Sequence, residues 1–157
     1  MRVPRTEKQD HVPPRPLAEQ IERPRLLLVE DDDAVRRSLQ LLLVSQGYDV
    51  RAYRNGNGLA ADPEAIRSLC LISDLVLADS DGLVLIQELR AAGWSGPAIL
   101  ISGHLSDEWA SRARHLGYDV VLSKPIGDSV LVNAVSRLID RAVRKEDGSA
   151  MDGYPIL

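Results

Sequence analysis

The chain has 157 residues, a hydrophobic content of 45%, a charged content of 27% and a formal net charge of −4. This length fits one domain with flanking segments, and the composition is that of an ordinary globular protein. The acidic balance argues against a large basic surface for nucleic acid, and no apolar run reaches membrane-spanning length. A single cysteine, Cys70, cannot form an internal disulfide, which favours a reducing cytoplasm.

The two ends of the chain are predicted to be flexible. Residues 1–24 hold five of the nine prolines and few large apolar residues, so they bury too little surface to offset the entropy lost on ordering. Basic side chains in this extension could contact an acidic partner, although a solvated segment is the simpler interpretation. They are Arg2, Arg5, Lys8, Arg15 and Arg23. Residues 145–157 form a second predicted tail, which leaves residues 25–144 as the domain.

Short apolar runs alternate with helical patterns between these ends. Four runs are too short for buried helices and are typical of strands covered on both faces. These runs are residues 26–29, 75–78, 98–101 and 120–122. A fifth segment, residues 49–54, alternates polar and apolar side chains, which predicts an edge strand with one wetter face.

Helical spacing of apolar residues fills the intervals between the predicted strands. Gly47 stops the first helix, Asp62 and Pro63 are the expected cap and first residue of the second, and Ser106 is the expected cap of the fourth. The third helix is predicted over residues 83–92. The order βαβαβαβαβα implies an α/β fold with one doubly wound parallel sheet and helices on both faces.

Polar residues of a consistent kind follow four of the five predicted strands. Following the first, third, fourth and fifth strands in turn, they are Glu30-Asp31-Asp32, Asp79, Ser102 and Lys124. Ligands of an open α/β sheet bind beyond the carboxyl ends of its strands, so these side chains are expected to lie together. Two carboxylates at about 4 Å repel each other by about 4 kcal/mol at an effective dielectric near 20. A hard divalent cation such as Mg²⁺ is therefore expected among them.

Such a group of side chains suits the acceptance of a phosphoryl group. The Asp79 carboxylate would attack phosphorus, Lys124 and Mg²⁺ would neutralise the phosphoryl oxygens, and Ser102 would donate a hydrogen bond to one of them. Each residue alone has a simpler interpretation, since acidic residues favour helix N-termini and Asp79 and Asp81 are typical turn formers before Gly82. The combination at four strand ends of one sheet carries the prediction.

Residues 25 to about 143 resemble the receiver domain of two-component response regulators. Four segments carry the resemblance: an acidic pair, a strand ending in the phosphoacceptor, a strand ending in a hydroxyl, and a lysine followed by proline. They are residues 27–36, 74–79, 99–104 and 122–125. The resemblance implies a flavodoxin-like fold with five strands in the order 2-1-3-4-5, and a cis bond between Lys124 and Pro125.

The resemblance also implies a metal and partners. Asp31 would bind Mg²⁺ directly and Glu30 would bind it through water, while Asp79 would be both a metal ligand and the phosphoacceptor. The implied donor is a sensor histidine kinase or a histidine phosphotransfer protein, and a downstream protein target is expected. Direct DNA binding is not expected, because no pair of DNA-binding helices follows Arg144. A homodimer is compatible with the same family.

Two departures from the family's pattern stand out in the sequence. The loop from Asp79 to Gly82 is about five residues shorter than usual, and in the family this loop holds a Met/Leu-Pro segment and supplies a backbone carbonyl to the metal. In so short a loop, Asp81 is expected either to become a further metal ligand or to cap the next helix. Val121 stands where an aromatic residue often lies, so the coupling of that aromatic to Ser102 is expected to be altered or absent.

Two alternatives to a stand-alone, phosphorylated receiver that acts by docking are open. Residues 76–82 also resemble the Asp-x-Asp-Gly motif of haloacid-dehalogenase-type phosphatases. In that family, however, the acidic pair follows the lysine, and this chain has no room for a cap domain. The other alternative is a degenerate receiver that works as a phosphorylation-independent binding module, which the short loop would favour. The principal prediction is a phosphoacceptor that catalyses its own phosphorylation and dephosphorylation, without substrate turnover.

Overall fold

The computed structural model describes residues 22–148, in which strands and helices alternate. In chain order the elements are β1 (Arg25–Val29), α1 (Asp33–Ser45), β2 (Asp49–Tyr53), α2 (Pro63–Ile66), β3 (Cys70–Asp74), α3 (Gly82–Ala91), β4 (Ala98–Ser102), α4 (Asp107–Leu116), β5 (Val120–Ser123) and α5 (Asp128–Gly148), with a 3-10 turn at Leu59–Ala61. Most of the predicted extension, residues 1–21, lies outside the described residues, as do residues 149–157. The predicted C-terminal tail begins too early, because α5 includes residues 145–148.

All five strands form one parallel sheet in the predicted order, β2-β1-β3-β4-β5. Successive residues of a strand point to opposite faces, so each central strand contributes to two apolar clusters. Leu27 and Leu100 pack with α3 and α4 on one face, and Leu28 and Ile99 pack with α1 and α5 on the other. Within the described residues, no helix combines the length and the apolar character needed to cross a membrane.

Several local predictions agree with the structure. The Asp62 carboxylate accepts a hydrogen bond from the Glu64 amide at the start of α2, and the Ser106 hydroxyl accepts one from the Trp109 amide at the start of α4. β2 is an edge strand, as its alternating pattern predicts. The bond between Lys124 and Pro125 is cis, as the resemblance implies. Local sequence therefore accounts for most element boundaries.

The prediction of the third strand at residues 75–78 is wrong. The structure places β3 at Cys70–Asp74, where its residues pair with β1 on one side and with β4 on the other. The next apolar run forms a loop, yet Leu75 and Leu77 are only 8% and 5% exposed because they pack against the cluster on the α3 side. Both runs thus contribute buried side chains, although Val76 in the second is 65% exposed, and only the first run has strand partners on both sides.

The loop that follows β3 closes on itself before α3 begins. The Gly82 amide donates a hydrogen bond to the Leu75 carbonyl at 2.8 Å, and the Leu77 amide donates to the Ser80 carbonyl at 3.1 Å. Asp79 lies at the exposed tip of this loop. Hydrogen bonds within the loop therefore hold its conformation, and the bond from Gly82 to Leu75 closes its base.

Gly82 lies so close to β3 that a larger residue does not fit. A Cβ atom at this position would lie 2.5 Å from the Asp74 carbonyl oxygen. We expect Gly82→Ala to lower the free energy of unfolding by about 2 kcal/mol, as overpacking a close contact does. At Gly127 the nearest atom to an added Cβ is 3.7 Å away, so Gly127→Ala is the matched control. Urea unfolding measures both, and equal effects of the two substitutions would contradict the close contact.

The single cysteine lies inside the sheet. Cys70 is the first residue of β3, pairs with Leu26 of β1, and has no exposed surface. Burial raises the pKa of the thiol to about 12, and the charge of Asp119 acts in the same direction. The thiol is therefore protonated and shielded from solvent in the folded chain.

Candidate functional site

Four polar side chains meet at the carboxyl edge of the sheet. Glu30 directly follows β1 and Asp74 ends β3, and these two strands pair with each other. Ser102 ends β4, Lys124 follows β5, and the Lys124 amide donates a hydrogen bond to the Ser102 carbonyl at 2.8 Å. The parallel register thus brings three of the predicted site residues together, with Asp74 as the fourth.

The Lys124 ammonium joins two buried carboxylates. Its Nζ atom donates to Asp74 Oδ2 at 2.7 Å and to Glu30 Oε2 at 3.0 Å. Glu30 is 1% exposed and Asp74 is 8% exposed. Partial burial of the ammonium lowers the pKa of Lys124, but its hydrogen bonds to Asp74 and Glu30 outweigh this and raise the pKa overall. Lys124 is therefore a fixed positive charge between the two acids.

Asp31 joins Glu30 and Asp74 in a compact group of carboxylates. One oxygen from each lies within 4.8 Å of the others, and residues 22–148 contain one such group of potential metal ligands. Burial raises the pKa of Glu30, and the charge of Asp74 adds to this, although the hydrogen bond from Lys124 offsets part of the rise. We refer to Glu30, Asp31 and Asp74 as the acidic group.

The acidic group fits a hard divalent cation. Its donors are all carboxylate oxygens, the ligands that Mg²⁺ prefers over imidazole or thiolate donors. Three carboxylates against the one ammonium of Lys124 leave two negative charges uncompensated within the group, and buried charge of this kind is unfavourable unless it is paired. These residues therefore fit the magnesium that the resemblance implies, with Asp74 in the position predicted for Asp79.

The structure does not place Asp79 in the acidic group. Its predicted role depended on a strand at residues 75–78 directly before it, but the strand ends at Asp74, five positions before Asp79. Residues 75–81 then separate Asp74 from Gly82, so the predicted shortening of the loop by about five residues is also wrong. Asp74 is the site residue that sequence reasoning missed. The sequence did contain a signal for Asp74: the apparent loop deletion of about five residues equals the interval from Asp74 to Asp79.

The correction also removes the structural basis for the phosphatase-like alternative. Of the motif's two aspartates, the first, Asp79, lies at the exposed tip of the loop, away from the acidic group. The second aspartate, Asp81, precedes α3 as its N-cap. The resemblance of residues 76–82 to that motif is therefore confined to the sequence.

Ser102 lies at the edge of the site as predicted. It is 1% exposed, and its Oγ atom accepts a hydrogen bond from the His104 amide at 3.2 Å. Acceptance of this bond leaves the hydroxyl proton available for donation. Val121 is half-buried against the cluster on the α3 side, and its effect on coupling to Ser102 stays a prediction.

Asp81 caps α3, which is one of its two predicted roles. Its Oδ1 atom accepts hydrogen bonds from the Leu83 and Val84 amides, both at 2.8 Å. Asp81 does not belong to the acidic group. Capping the first turn of α3 therefore explains the position of the Asp81 side chain.

Substitutions at Asp81 separate the cap from the metal role. Asp81→Asn preserves an oxygen acceptor and should leave both the Mg²⁺ affinity and the stability nearly unchanged. Asp81→Ala removes the cap and should lower the free energy of unfolding by about 1 kcal/mol. Calorimetric Mg²⁺ titration and urea unfolding check these expectations. A clear loss of Mg²⁺ affinity in Asp81→Asn would return Asp81 to the metal site.

Comparison with known proteins identifies related sequences. The family model described as response regulator receiver domain matches residues 26–136. The transcriptional regulatory protein FixJ of Rhizobium meliloti (strain 1021) is 29% identical over 119 residues, which are 76% of this chain and 58% of the relative. The transcriptional regulatory protein AruR of Pseudomonas aeruginosa is 34% identical over 136 residues, which are 81% of this chain and 53% of the relative. The chain thus spans little more than half the length of these relatives.

Solved structures share the fold. The signal receiver domain of a putative Luxo repressor protein from Vibrio parahaemolyticus superposes with a TM-score of 0.75 at 24% identity, covering 85% of this chain and 100% of that one. A CheY-like response regulator receiver domain protein from Methanospirillum hungatei JF-1 gives a TM-score of 0.72 at 20% identity, covering 79% and 99%. The family match spans most of the chain, and the chain therefore belongs to the response regulator receiver domain family.

Proposed function

We propose that the chain accepts a phosphoryl group on Asp74 from a sensor histidine kinase or a histidine phosphotransfer protein. The observation that carries this proposal is the convergence of Asp74, Glu30 and Asp31 around the Lys124 ammonium. It is the place in the described structure where a carboxylate, a candidate metal site and a fixed cation coincide. Such a combination suits attack on phosphorus, because phosphoryl transfer depends mainly on positioning and on neutralising charge.

In this proposal Asp74 is the nucleophile. One of its carboxylate oxygens forms a bond to phosphorus while the bond from phosphorus to the donor imidazole nitrogen breaks, and the imidazole leaves with the electron pair. Lys124 already touches Asp74 and neutralises a phosphoryl oxygen, and the Ser102 hydroxyl donates a hydrogen bond to another. Glu30, Asp31 and Asp74 would hold a divalent cation, which would supply further positive charge for the transfer.

The proposed role is that of a signalling acceptor that works by docking to other proteins. The chain catalyses its own phosphorylation and the later hydrolysis of the acyl phosphate, without turning over a separate substrate. The alternative of a degenerate, phosphorylation-independent module rested on a shortened loop. Because residues 75–81 restore the loop between Asp74 and Gly82, that argument no longer applies.

A phosphorylation assay tests the proposal. The purified chain is incubated with acetyl phosphate, and separately with a phosphorylated histidine phosphotransfer protein, each with Mg²⁺ or with a chelator. We expect one phosphoryl group per chain with Mg²⁺ and none with the chelator, measured by intact mass. A folded chain that takes up no phosphoryl group at saturating Mg²⁺ would refute the acceptor role and support a binding module.

A further inference from the structure

A buried tyrosine lies beneath the loop that follows Asp74. Tyr118, between α4 and β5, is 2% exposed, and its hydroxyl donates a hydrogen bond to the Gly82 carbonyl at 2.6 Å. Burial raises the pKa of Tyr118 well above its usual value, so the hydroxyl keeps its proton and acts as a donor. The bond joins residues 36 positions apart in the chain. It therefore links the segment before β5 to the first residue of α3.

Gly82 in turn contacts the backbone beside Asp74. The Gly82 amide donates to the Leu75 carbonyl at 2.8 Å, and the position of a Gly82 Cβ lies 2.5 Å from the Asp74 carbonyl oxygen. The Ser73 hydroxyl donates to that same Asp74 carbonyl at 2.9 Å. We call Ser73, Asp74, Leu75 and Gly82, together with the Tyr118 hydroxyl, the Gly82 junction. Within the junction, Gly82 is the one residue between the Tyr118 hydroxyl and the backbone of Asp74.

The other end of α3 has its own tie to the same segment. Arg90 donates to the Gly117 carbonyl at 3.2 Å, and its guanidinium also stacks over the Trp94 ring at 4.8 Å from the centroid. The C-terminal half of α3 is thus held to the connection between α4 and β5 without help from Tyr118. The Tyr118 hydroxyl contributes a separate bond, at the helix start next to the loop.

We propose that Tyr118 is a positioning residue for phosphorylation: its hydroxyl, through Gly82, holds the base of the loop after Asp74 and with it the acceptor carboxylate. The inference rests on the proposed function of Asp74. Without the hydroxyl the ring still packs, but the Gly82 carbonyl loses one partner and the loop base opens more often. Asp74 then spends less time in the geometry that binds a cation and meets phosphorus.

Tyr118→Phe removes this hydroxyl alone. Tyr48→Phe is the matched control, because Tyr48 packs on the opposite face of the sheet, away from the junction. In the metal-free chain, hydrogen exchange followed by mass spectrometry should be about fivefold faster for residues 75–85 in Tyr118→Phe, as loss of one buried hydrogen bond allows. The same peptides in Tyr48→Phe should exchange at the wild-type rate.

Mg²⁺ titration and phosphorylation rates show whether Tyr118 positions Asp74 or only contributes to the overall stability of the fold. In Tyr118→Phe the Kd for Mg²⁺ should rise, by at most about the same fivefold, as the fraction of chains in the closed geometry falls. The phosphorylation rate with acetyl phosphate should fall at low Mg²⁺ and return towards wild type at saturating Mg²⁺. Unchanged exchange of residues 75–85 and unchanged Mg²⁺ affinity would overturn the proposal, even if the melting temperature falls. If the wild-type chain is not phosphorylated at all, the proposed function fails, while exchange and Mg²⁺ affinity still decide whether Tyr118 holds the loop.

Discussion

Asp74→Asn is expected to abolish phosphorylation of the chain, whereas Asp79→Asn should leave it intact. The amide has the shape of the carboxylate but cannot act as the nucleophile, so labelling by acetyl phosphate with Mg²⁺ should fall by roughly 1,000-fold or more. Asp74 contacts Lys124 at 2.7 Å and belongs to the acidic group, while Asp79 lies exposed at the loop tip. Intact-mass analysis and peptide mapping of the phosphorylated chain provide the measurement.

The two variants control for each other. Both replace a carboxylate by an amide within the same segment, five positions apart. Loss of labelling in Asp79→Asn together with full labelling of Asp74→Asn would assign the acceptor to the loop and contradict the site described above. Loss in both would show that phosphorylation also requires the Asp79 carboxylate.

Lys124→Met is expected to destabilise the metal-free chain strongly. The substitution leaves Glu30 and Asp74, whose side chains are 2% and 10% exposed, without the ammonium between them. Removal of one partner from a buried ion pair costs about 3 kcal/mol or more, because the remaining charges are uncompensated. Mg²⁺ should restore more stability to this variant than to the wild type, since a cation bound by the acidic group replaces part of the lost charge. Urea unfolding in Mg²⁺ and in chelator measures both effects.

Arg67→Met is the control for loss of an exposed cation. Arg67 lies 3.9 Å from Glu64, and the two side chains are 74% and 48% exposed. Exposed pairs of this kind contribute about 0.5 kcal/mol at most, so the control should be nearly neutral and insensitive to Mg²⁺. A Lys124→Met variant as stable as this control in chelator would show that the two carboxylates do not depend on the ammonium.

Local sequence predicts most of this fold because its signals are strong and agree with one another. Asp62 and Ser106 are side-chain caps that start α2 and α4 where expected. The runs that became β1, β4 and β5 each have one apolar core with a polar residue after it, directly in β1 and β4 and one position later, after Ser123, in β5. Those residues are Glu30, Ser102 and Lys124, and the parallel register accordingly brings them to the same edge. The positions of these three side chains at one edge of the sheet could therefore be predicted from the sequence.

The third strand was ambiguous because two apolar runs follow each other, and each ends in an aspartate. Residues 70–74 and 75–79 are both largely apolar, and both contribute buried side chains, since Leu75 and Leu77 are buried in the loop although Val76 between them is exposed. Pairing with β1 and β4 selects the first run, and this is a property of the sheet that local sequence does not contain. Gly82 offered a local constraint, because a residue without Cβ is required where α3 approaches the strand end.

Because Cys70 is buried in β3, the reactivity of its thiol can be used to measure transient opening of the sheet. A disulfide reagent reaches this thiol only when β3 is transiently exposed, so the rate of modification in the native state counts the openings of the central sheet. The sequence contains one cysteine, and the signal therefore comes from the strand that ends in Asp74 without any engineered label. A cation or a phosphoryl group that stabilises the closed sheet should slow this reaction by the same factor by which it shifts the opening equilibrium.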